Sequence, residues 1–332
     1  MIALHRFVAH ARTCECVTFP TFDCSLSTTY PMTRSEYTPP MINGVSASTL
    51  FLPKLTPSLQ HLYDYLCQQF PHIAANEWQQ RFTDGLIHDA LGNVLSCDAP
   101  YTENSRVFYY RFLAHEIHVP FEHEILFENE HLLVIDKPHF LTISPTGQYV
   151  QETLLVRLKK QTGNEFLTPI HRLDRETAGV VLFSKQAATR AIYQDMFAQR
   201  KVQKTYHAIA PFHTALKFPC HIRLRMEKGN PFYTMQVTEG AVNSETHIHL
   251  LEHNTQWAKY ELKPITGKQH QLRVHLNSLG IAIKNDPFYP IVQHKKENDF
   301  SAPLQLLAKH IAFTDPISLK DLAFTSHFEL TL

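Results

Sequence analysis

The chain has 332 residues, 44% of them hydrophobic, which is enough apolar material for one large core or two unequal ones. No window approaches the roughly 18 consecutive apolar residues that a membrane helix needs, so we expect no membrane partner. Six cysteines are too few for a disulfide scaffold in so long a chain, and no convincing signal peptide precedes them, so we expect a cytoplasmic protein.

The formal charges cancel over the whole chain but are unevenly distributed along it. Residues 32–130 carry 5 Lys and Arg against 12 Asp and Glu, whereas residues 190–230 carry 8 against 2. Such asymmetry is typical of a protein in which one region meets phosphates and another does not. An unevenly charged, solvated surface gives the same counts.

Residues 1–50 show no sustained periodicity and are dense in Thr, Ser and Pro, so they are predicted to form a poorly ordered arm. Cys14, Cys16 and Cys24 lack a paired C-x-x-C spacing or a histidine partner, and we expect no metal there. Met32 is an alternative start to Met1.

Residues 51–119 are predicted to form a small α+β module. Apolar residues recur at helical spacing in residues 59–70 and 74–82. Short apolar pieces then alternate with turns at residues 84–85 and 92–93, which is typical of a hairpin.

Residues 120–332 are predicted to form a second, larger domain that begins after an acidic run. It opens with two strands around a turn at residues 128–130, the second of which ends at Lys137 and Pro138. The pattern then predicts, in order, a helix at 150–160 ended by Gly163, a buried strand at 180–183, a helix at 186–199, a strand at 204–210, antiparallel strands within 213–261 and a helix through 272–279.

A charged loop precedes the buried strand in the stretch HRLDRETAGVVLFSK, residues 171–185. Asp174 lies there between Arg172 and Arg175. An aspartate between arginines is often an ordinary surface ion pair. A loop just in front of a rigid strand is, however, a common place for catalytic groups.

Four stretches occur in an order that resembles the RluA branch of the pseudouridine synthases. They are EHLLVIDKP at 130–138, HRLDRETAGVVLFSK at 171–185, KTYHAIA at 204–210 and TGKQHQLRVHLNSLG at 266–280. The resemblance covers about residues 124–313 and implies an α+β fold with a central mixed, mainly antiparallel sheet. The preceding module weakly resembles a small RNA-binding module shared with a ribosomal small-subunit protein, but it offers few basic residues, so a structural or protein-docking role stays open.

The resemblance also implies roles for individual residues. Asp174 corresponds to the catalytic carboxylate, Tyr206 to the tyrosine that stacks on the target uracil, and Arg273 to the basic residue that pairs with the aspartate. We further expect contacts with RNA from a set of polar and basic side chains: Arg172, Arg175, Lys137, Lys204, Lys268 and Gln269.

The sequence departs from the usual pattern of the family at several positions. Ala178 replaces a serine, His139 and Phe140 replace Ala-Gly, Lys268 replaces an arginine and Asn285 replaces a glycine. None of these changes removes a proposed catalytic group.

The function implied is the conversion of uridine to pseudouridine in structured RNA, either ribosomal RNA of the large subunit or transfer RNA. The reaction conserves atoms and needs no energy source, so we expect no cofactor and no metal, and we expect a monomer. Two alternatives stay open: an inactive RNA-binding protein of the same fold, and a metal-dependent hydrolase built on His247, His249, His270 and His275.

Overall fold

A computed structural model describes residues 37–111, 116–293, 296 and 298–332. Cys14, Cys16, Cys24 and Met32 lie outside the described residues. No helix in the described part of the chain has the length and apolar character needed to cross a bilayer.

The first part of the described chain forms a small sheet with two helices. Its elements are β1 (Ser48–Leu52), α1 (Leu62–Gln69), α2 (Ala75–Thr83), β2 (Ile87–Asp89) and β3 (Ser105–Tyr109). Strand β3 pairs antiparallel with β1 on one side and β2 on the other. Trp78 and Leu66 are fully buried between helices and sheet. The two helices and the hairpin agree with the predicted elements, and the sheet also includes residues 48–50 of the predicted arm.

The remainder forms one large sheet flanked by helices. Its elements are β4 (Glu124–Glu128), β5 (Leu132–Lys137), α3 (Leu154–Thr162), β6 (Thr168–Pro169), β7 (Ala178–Ser184), α4 (Ala187–Ala198), β8 (Gln203–Pro211), β9 (Cys220–Lys228), β10 (Met235–Thr238), β11 (Ser244–His253), β12 (Trp257–Pro264), α5 (Gln271–Ser278), β13 (Leu306–Thr314) and β14 (Asp321–Thr325).

The large sheet has 11 strands, with the spatial order β10-β9-β11-β12-β8-β13-β7-β5-β4, while β14 pairs with β13 and β6 with β7. Strands β13 and β7 run parallel, and the other pairings are antiparallel. The predicted α+β class with a mixed, mainly antiparallel sheet is therefore confirmed.

The parallel pairing at the centre of the sheet depends on a glycine. All seven residues of β7 are buried, as predicted for the core of this run. Gly179 pairs with Ala308 of β13 at a φ of +112°, and a Cβ added there would lie 2.2 Å from the Ala308 carbonyl oxygen. Only glycine allows this approach, which fixes the loop before β7 near the middle of the sheet.

Helix α3 shows that local signals set the helix boundaries. The Thr153 side chain accepts a hydrogen bond from the Val156 N–H, and Gly163 ends the helix in the left-handed conformation at a φ of 67°. Both are standard end signals, and the predicted stop at Gly163 is confirmed.

We expect Gly179→Ala to lower the free energy of unfolding by about 3 kcal/mol or more, since the new methyl group meets backbone and the φ is unfavourable. Gly163→Ala, also at positive φ but with no atom within 4 Å of the added Cβ, is the matched control and should cost only ~1 kcal/mol. Urea denaturation measures both, and equal losses would contradict the close approach.

Candidate active site

The loop that carries Asp174 is held at both ends. His171 accepts a hydrogen bond from the Leu182 N–H at 3.2 Å and stacks on Phe197, with 4.6 Å between ring centroids. Farther on, the Asp174 carbonyl accepts the Thr177 N–H at 3.1 Å. The Asp174 side chain itself is 25% exposed, so the carboxylate stays open to a ligand while its backbone is fixed.

Lys137, at the end of β5, fixes the same loop from behind. Its Nζ donates to the carbonyls of Pro138 and Leu141 at 2.9 Å each and of Arg175 at 3.3 Å. The residue is fully buried. The prediction that Lys137 contacts RNA is therefore wrong, because its amino group is used inside the protein to hold the loop.

Arg273, on α5, is the cation next to Asp174. It is 1% exposed, and its Nε and Nη2 donate to the two carboxylate oxygens of Asp286 at 2.8 and 2.6 Å. This bidentate pairing uses one edge of the planar guanidinium and fixes its orientation. The remaining nitrogen, Nη1, donates to Asp174 Oδ2 at 3.2 Å.

Asp286 is in turn completely buried, and its Oδ1 accepts the N–H groups of Phe288 and Tyr289 at 2.8 and 3.2 Å. Burial lowers the pKa of Arg273, but the hydrogen bonds and charge of Asp286, with Asp174 behind them, outweigh burial and raise the pKa overall. The guanidinium is therefore a permanent positive charge beside Asp174.

Tyr206 projects from β8 into a cavity of about 860 Å³ that Asp174 and Arg273 also line. The three predicted catalytic side chains thus face one space, whose volume falls within the roughly 300–1,000 Å³ of known ligand sites. Burial, followed by the charge of Asp174, raises the pKa of Tyr206. The phenol consequently keeps its proton at neutral pH.

The walls of the cavity are strongly cationic. Five of the lining side chains carry a positive charge and Asp174 alone carries a negative one; the cations are Arg172, Arg200, Lys204, Lys268 and Arg273. Gln269 lines the same cavity and donates to the Tyr233 carbonyl at 3.3 Å. Four of the residues predicted to contact RNA therefore line one cavity: Arg172, Lys204, Lys268 and Gln269.

Arg175 does not line this cavity. Its side chain pairs with Glu176 at 3.4 Å and lies over the ring of Tyr149 at 4.9 Å. The guanidinium thus stabilises the loop through neighbouring protein groups, and its contact with RNA stays a prediction.

Two residues of the site were not assigned to it from sequence. Asp286 is not predicted from the sequence, and His270, whose Nε2 is 3.8 Å from Asp174 Oδ2, is predicted only as a possible metal ligand. Asn285, the departure from glycine just before Asp286, does take a left-handed φ of 65°, a value that asparagine tolerates. Asn285 could have indicated a turn at this position, but nothing in the sequence indicates the salt bridge between Asp286 and Arg273 of α5.

Phe140 also departs from the glycine of the family, and it adopts a φ of 67°. Its ring is 6% exposed and packs against Phe121 and Phe300 at 6.0 and 5.3 Å between centroids. Aromatic packing therefore holds this residue in a conformation that is otherwise unfavourable for a side chain of this size.

The histidines of the hydrolase alternative are not gathered in one place. His247 stacks on His221, His275 bonds to Ser244 and His270 lies beside Asp174. Among the residues that the structure describes, no group of three or more His, Cys, Asp or Glu side chains could hold a metal ion.

Comparisons with known proteins identify relatives of this chain. The family model for RNA pseudouridylate synthases matches residues 131–278. An RNA pseudouridine synthase of Synechocystis is 28% identical over 230 residues, which are 69% of this chain and 79% of that protein. The dual-specificity RNA pseudouridine synthase RluA of Pasteurella multocida is 30% identical over 189 residues, covering 53% of this chain and 78% of its own length.

A solved structure, human RNA pseudouridylate synthase domain containing 1, shares the fold with a TM-score of 0.52 at 22% identity, over 62% of this chain and 83% of that one. The fold and the relatives together define an RNA-modifying isomerase. The chain belongs to the RNA pseudouridine synthase family and, within it, to the RluA branch.

Lys137 gives an expected dependence of stability on pH. Burial lowers the pKa of Lys137 from 10.5 to about 7, although Glu176 and Asp174 act to raise it. Between those values the unfolded chain binds more protons than the folded one, so the contribution of Lys137 to stability rises with pH.

Relative to Lys137→Met, the wild type should therefore gain up to ~2 kcal/mol in free energy of unfolding between pH 7 and 9. Urea denaturation of both proteins at several pH values measures this difference. A difference that stays constant from pH 6 to pH 9 would contradict the lowered pKa.

Proposed function

We propose that this enzyme converts specific uridines of structured ribosomal or transfer RNA to pseudouridine, with Asp174 as the catalytic carboxylate. The observation that carries the proposal is the placement of Asp174, Arg273 and Tyr206 around one cationic cavity. The cytoplasm as compartment and a monomeric state belong to the same proposal.

The reaction breaks the bond between the anomeric carbon of ribose and N1 of uracil and forms a bond from that carbon to C5; C5 then loses its proton and N1 gains one, so the atoms are conserved. A carboxylate held ionised beside the sugar and the base is suited to this chemistry as a nucleophile or as a base. Arg273 Nη1 donates to Oδ2 of Asp174 at 3.2 Å, and no described residue donates a hydrogen bond to Oδ1. We take Oδ1 as the reacting oxygen.

Tyr206 supports the target base. An extruded uridine loses its stacking, which costs a few kcal/mol, and stacking on an aromatic ring returns about 1–3 kcal/mol per base. Because the pKa of Tyr206 is raised by burial and by Asp174, its hydroxyl acts as a proton or hydrogen-bond donor at neutral pH.

The cationic rim suits an RNA backbone. Arg172, Arg200 and Lys268 are exposed at the cavity, where phosphates on either side of an extruded nucleotide would lie. Arg172 lies two residues before Asp174. In this proposal its side chain either fills the gap that the extruded uridine leaves in the RNA stack or binds the RNA backbone beside that gap. Loops and bulges are the favoured targets because their bases are readily splayed out.

Asp174→Asn keeps the shape of the side chain but removes its charge, and we expect it to lower pseudouridine formation by at least about 1,000-fold. Pseudouridines are mapped in total RNA from cells that lack the protein and are supplied with wild type or variant. Asp195→Asn, on the exposed face of α4, is the control and should retain activity. Undiminished product with Asp174→Asn would refute the assignment and favour another carboxylate.

We expect Arg172→Gln and Lys268→Gln each to weaken RNA binding and to reduce the slope of log Kd against log salt by roughly one. Lys320→Gln is the matched control, because Lys320 is exposed just before β14, outside the cavity, and should leave the slope unchanged. Filter binding at several salt concentrations provides the measurement. Equal slopes for all three variants and the wild type would rule out phosphate contacts at the rim.

A further inference from the structure

His270 lies against the Asp174 carboxylate and has no part in the chemistry described so far. Its Nε2 is 3.8 Å from Asp174 Oδ2, and its side chain is 5% exposed. The residue precedes α5 in the left-handed conformation, with a φ of 52°. Such a backbone is unfavourable for a histidine, so the contacts around the ring must hold it in place.

The second ring nitrogen of His270 is connected to strand β10 through a tyrosine. Nδ1 of His270 is 2.9 Å from the hydroxyl oxygen of Tyr289, and that oxygen accepts the Met235 N–H at 2.8 Å. Both rings are buried. A continuous chain of polar contacts therefore leads from the backbone of β10 to the carboxylate of Asp174.

The hydrogen bonds at the Tyr289 hydroxyl favour one tautomer of His270. The Tyr289 oxygen already accepts from Met235, and burial raises the pKa of Tyr289 to about 12, so the phenol keeps its single proton. Of the two hydrogen bonds that described residues make at this oxygen, only the one shared with Nδ1 can take up the phenol proton, so we infer that Nδ1 accepts it. The ring proton then resides on Nε2, facing Asp174, whereas the other tautomer would direct a lone pair at the carboxylate.

The ring supplies this donor without adding a charge. Burial lowers the pKa of His270, with Arg273 acting in the same direction and the negative charges nearby acting against it. The titratable groups around the ring are Asp174, Glu176, Arg273, Asp286 and Tyr289. A neutral donor orients the Asp174 carboxylate while leaving its negative charge intact.

We propose that His270 is a positioning residue whose Nε2–H, fixed by Tyr289, keeps Oδ2 of Asp174 turned toward Arg273 so that Oδ1 faces the target nucleoside. The role rests on the proposed function. Arg273 Nη1 donates a hydrogen bond to Oδ2 at 3.2 Å, and the Nε2–H of His270, 3.8 Å away, adds an electrostatic attraction to the same oxygen; the two together favour one orientation of the carboxylate.

The tautomer is testable without any assay of activity. Long-range ¹H–¹⁵N spectra distinguish protonated from unprotonated ring nitrogens, and the signals lost in His270→Asn identify those of His270. We expect the proton on Nε2 in the wild type and a fraction on Nδ1 in Tyr289→Phe. A wild-type proton on Nδ1 would overturn the proposal.

Kinetics then test the positioning itself. His270→Asn tolerates the left-handed backbone but places no donor at the position of Nε2, and we expect kcat to fall about 10- to 100-fold with KM changed less than about 3-fold. His270→Gln places an amide N–H near the Nε2 position and should recover a large part of kcat. Equal kcat values for these two variants, or a wild-type kcat in His270→Asn, would overturn the role.

A control on the same helix separates positioning from folding. His275→Gln changes a fully buried histidine whose ring bonds to Ser244 instead of the site, and it should retain kcat; a loss equal to that of His270→Asn would overturn the role. Wild-type protein that forms no pseudouridine overturns the proposed function and this role together. An active wild type with an unimpaired His270→Asn overturns this role alone.

Discussion

The salt bridge between Arg273 and Asp286 is the contact on which the site depends. It is fully buried, with both oxygens of Asp286 engaged by one edge of the guanidinium. A buried arginine is costly unless its charge is matched, and this pairing meets that requirement while leaving Nη1 free. The free nitrogen is what reaches Asp174, so the direction of the Asp174 loop and the orientation of α5 are coupled through a single planar group.

The rest of the molecule fixes the relative positions of the Asp174 loop and of the helix that carries Arg273. Asp174 comes from a loop fixed by Lys137 and by the central strand β7, whereas Arg273 comes from a helix whose preceding residue, His270, is strained. Strand β13 joins the two regions of the sheet, and its approach to β7 requires Gly179. Placing catalytic groups on rigid elements with locked supporting contacts is what precise chemistry needs.

The sequence predicted the elements better than it predicted their contacts. Apolar periodicity located β7 and α5, and ordered motifs identified Asp174, Tyr206 and Arg273, because these signals are local. Asp286 was missed because its buried salt bridge with Arg273 produces no periodic pattern of residues in the sequence. Lys137 was misassigned because a lysine at the end of a strand is usually exposed. Here the side chain is buried, and its Nζ donates hydrogen bonds to three backbone carbonyls. Such contacts become visible only once the chain has been folded.

A double-mutant cycle on single-turnover rates tests the central claim most directly. If Asp286 acts on Asp174 only by orienting Arg273, then Asp286→Asn and Arg273→Lys should each slow the reaction, and the combined variant should be no slower than Arg273→Lys alone. Unfolding midpoints of the variants show that folded protein is compared. Losses that simply multiply would mean that the two residues act independently, and the account of a single connected carboxylate–guanidinium–carboxylate unit would be wrong.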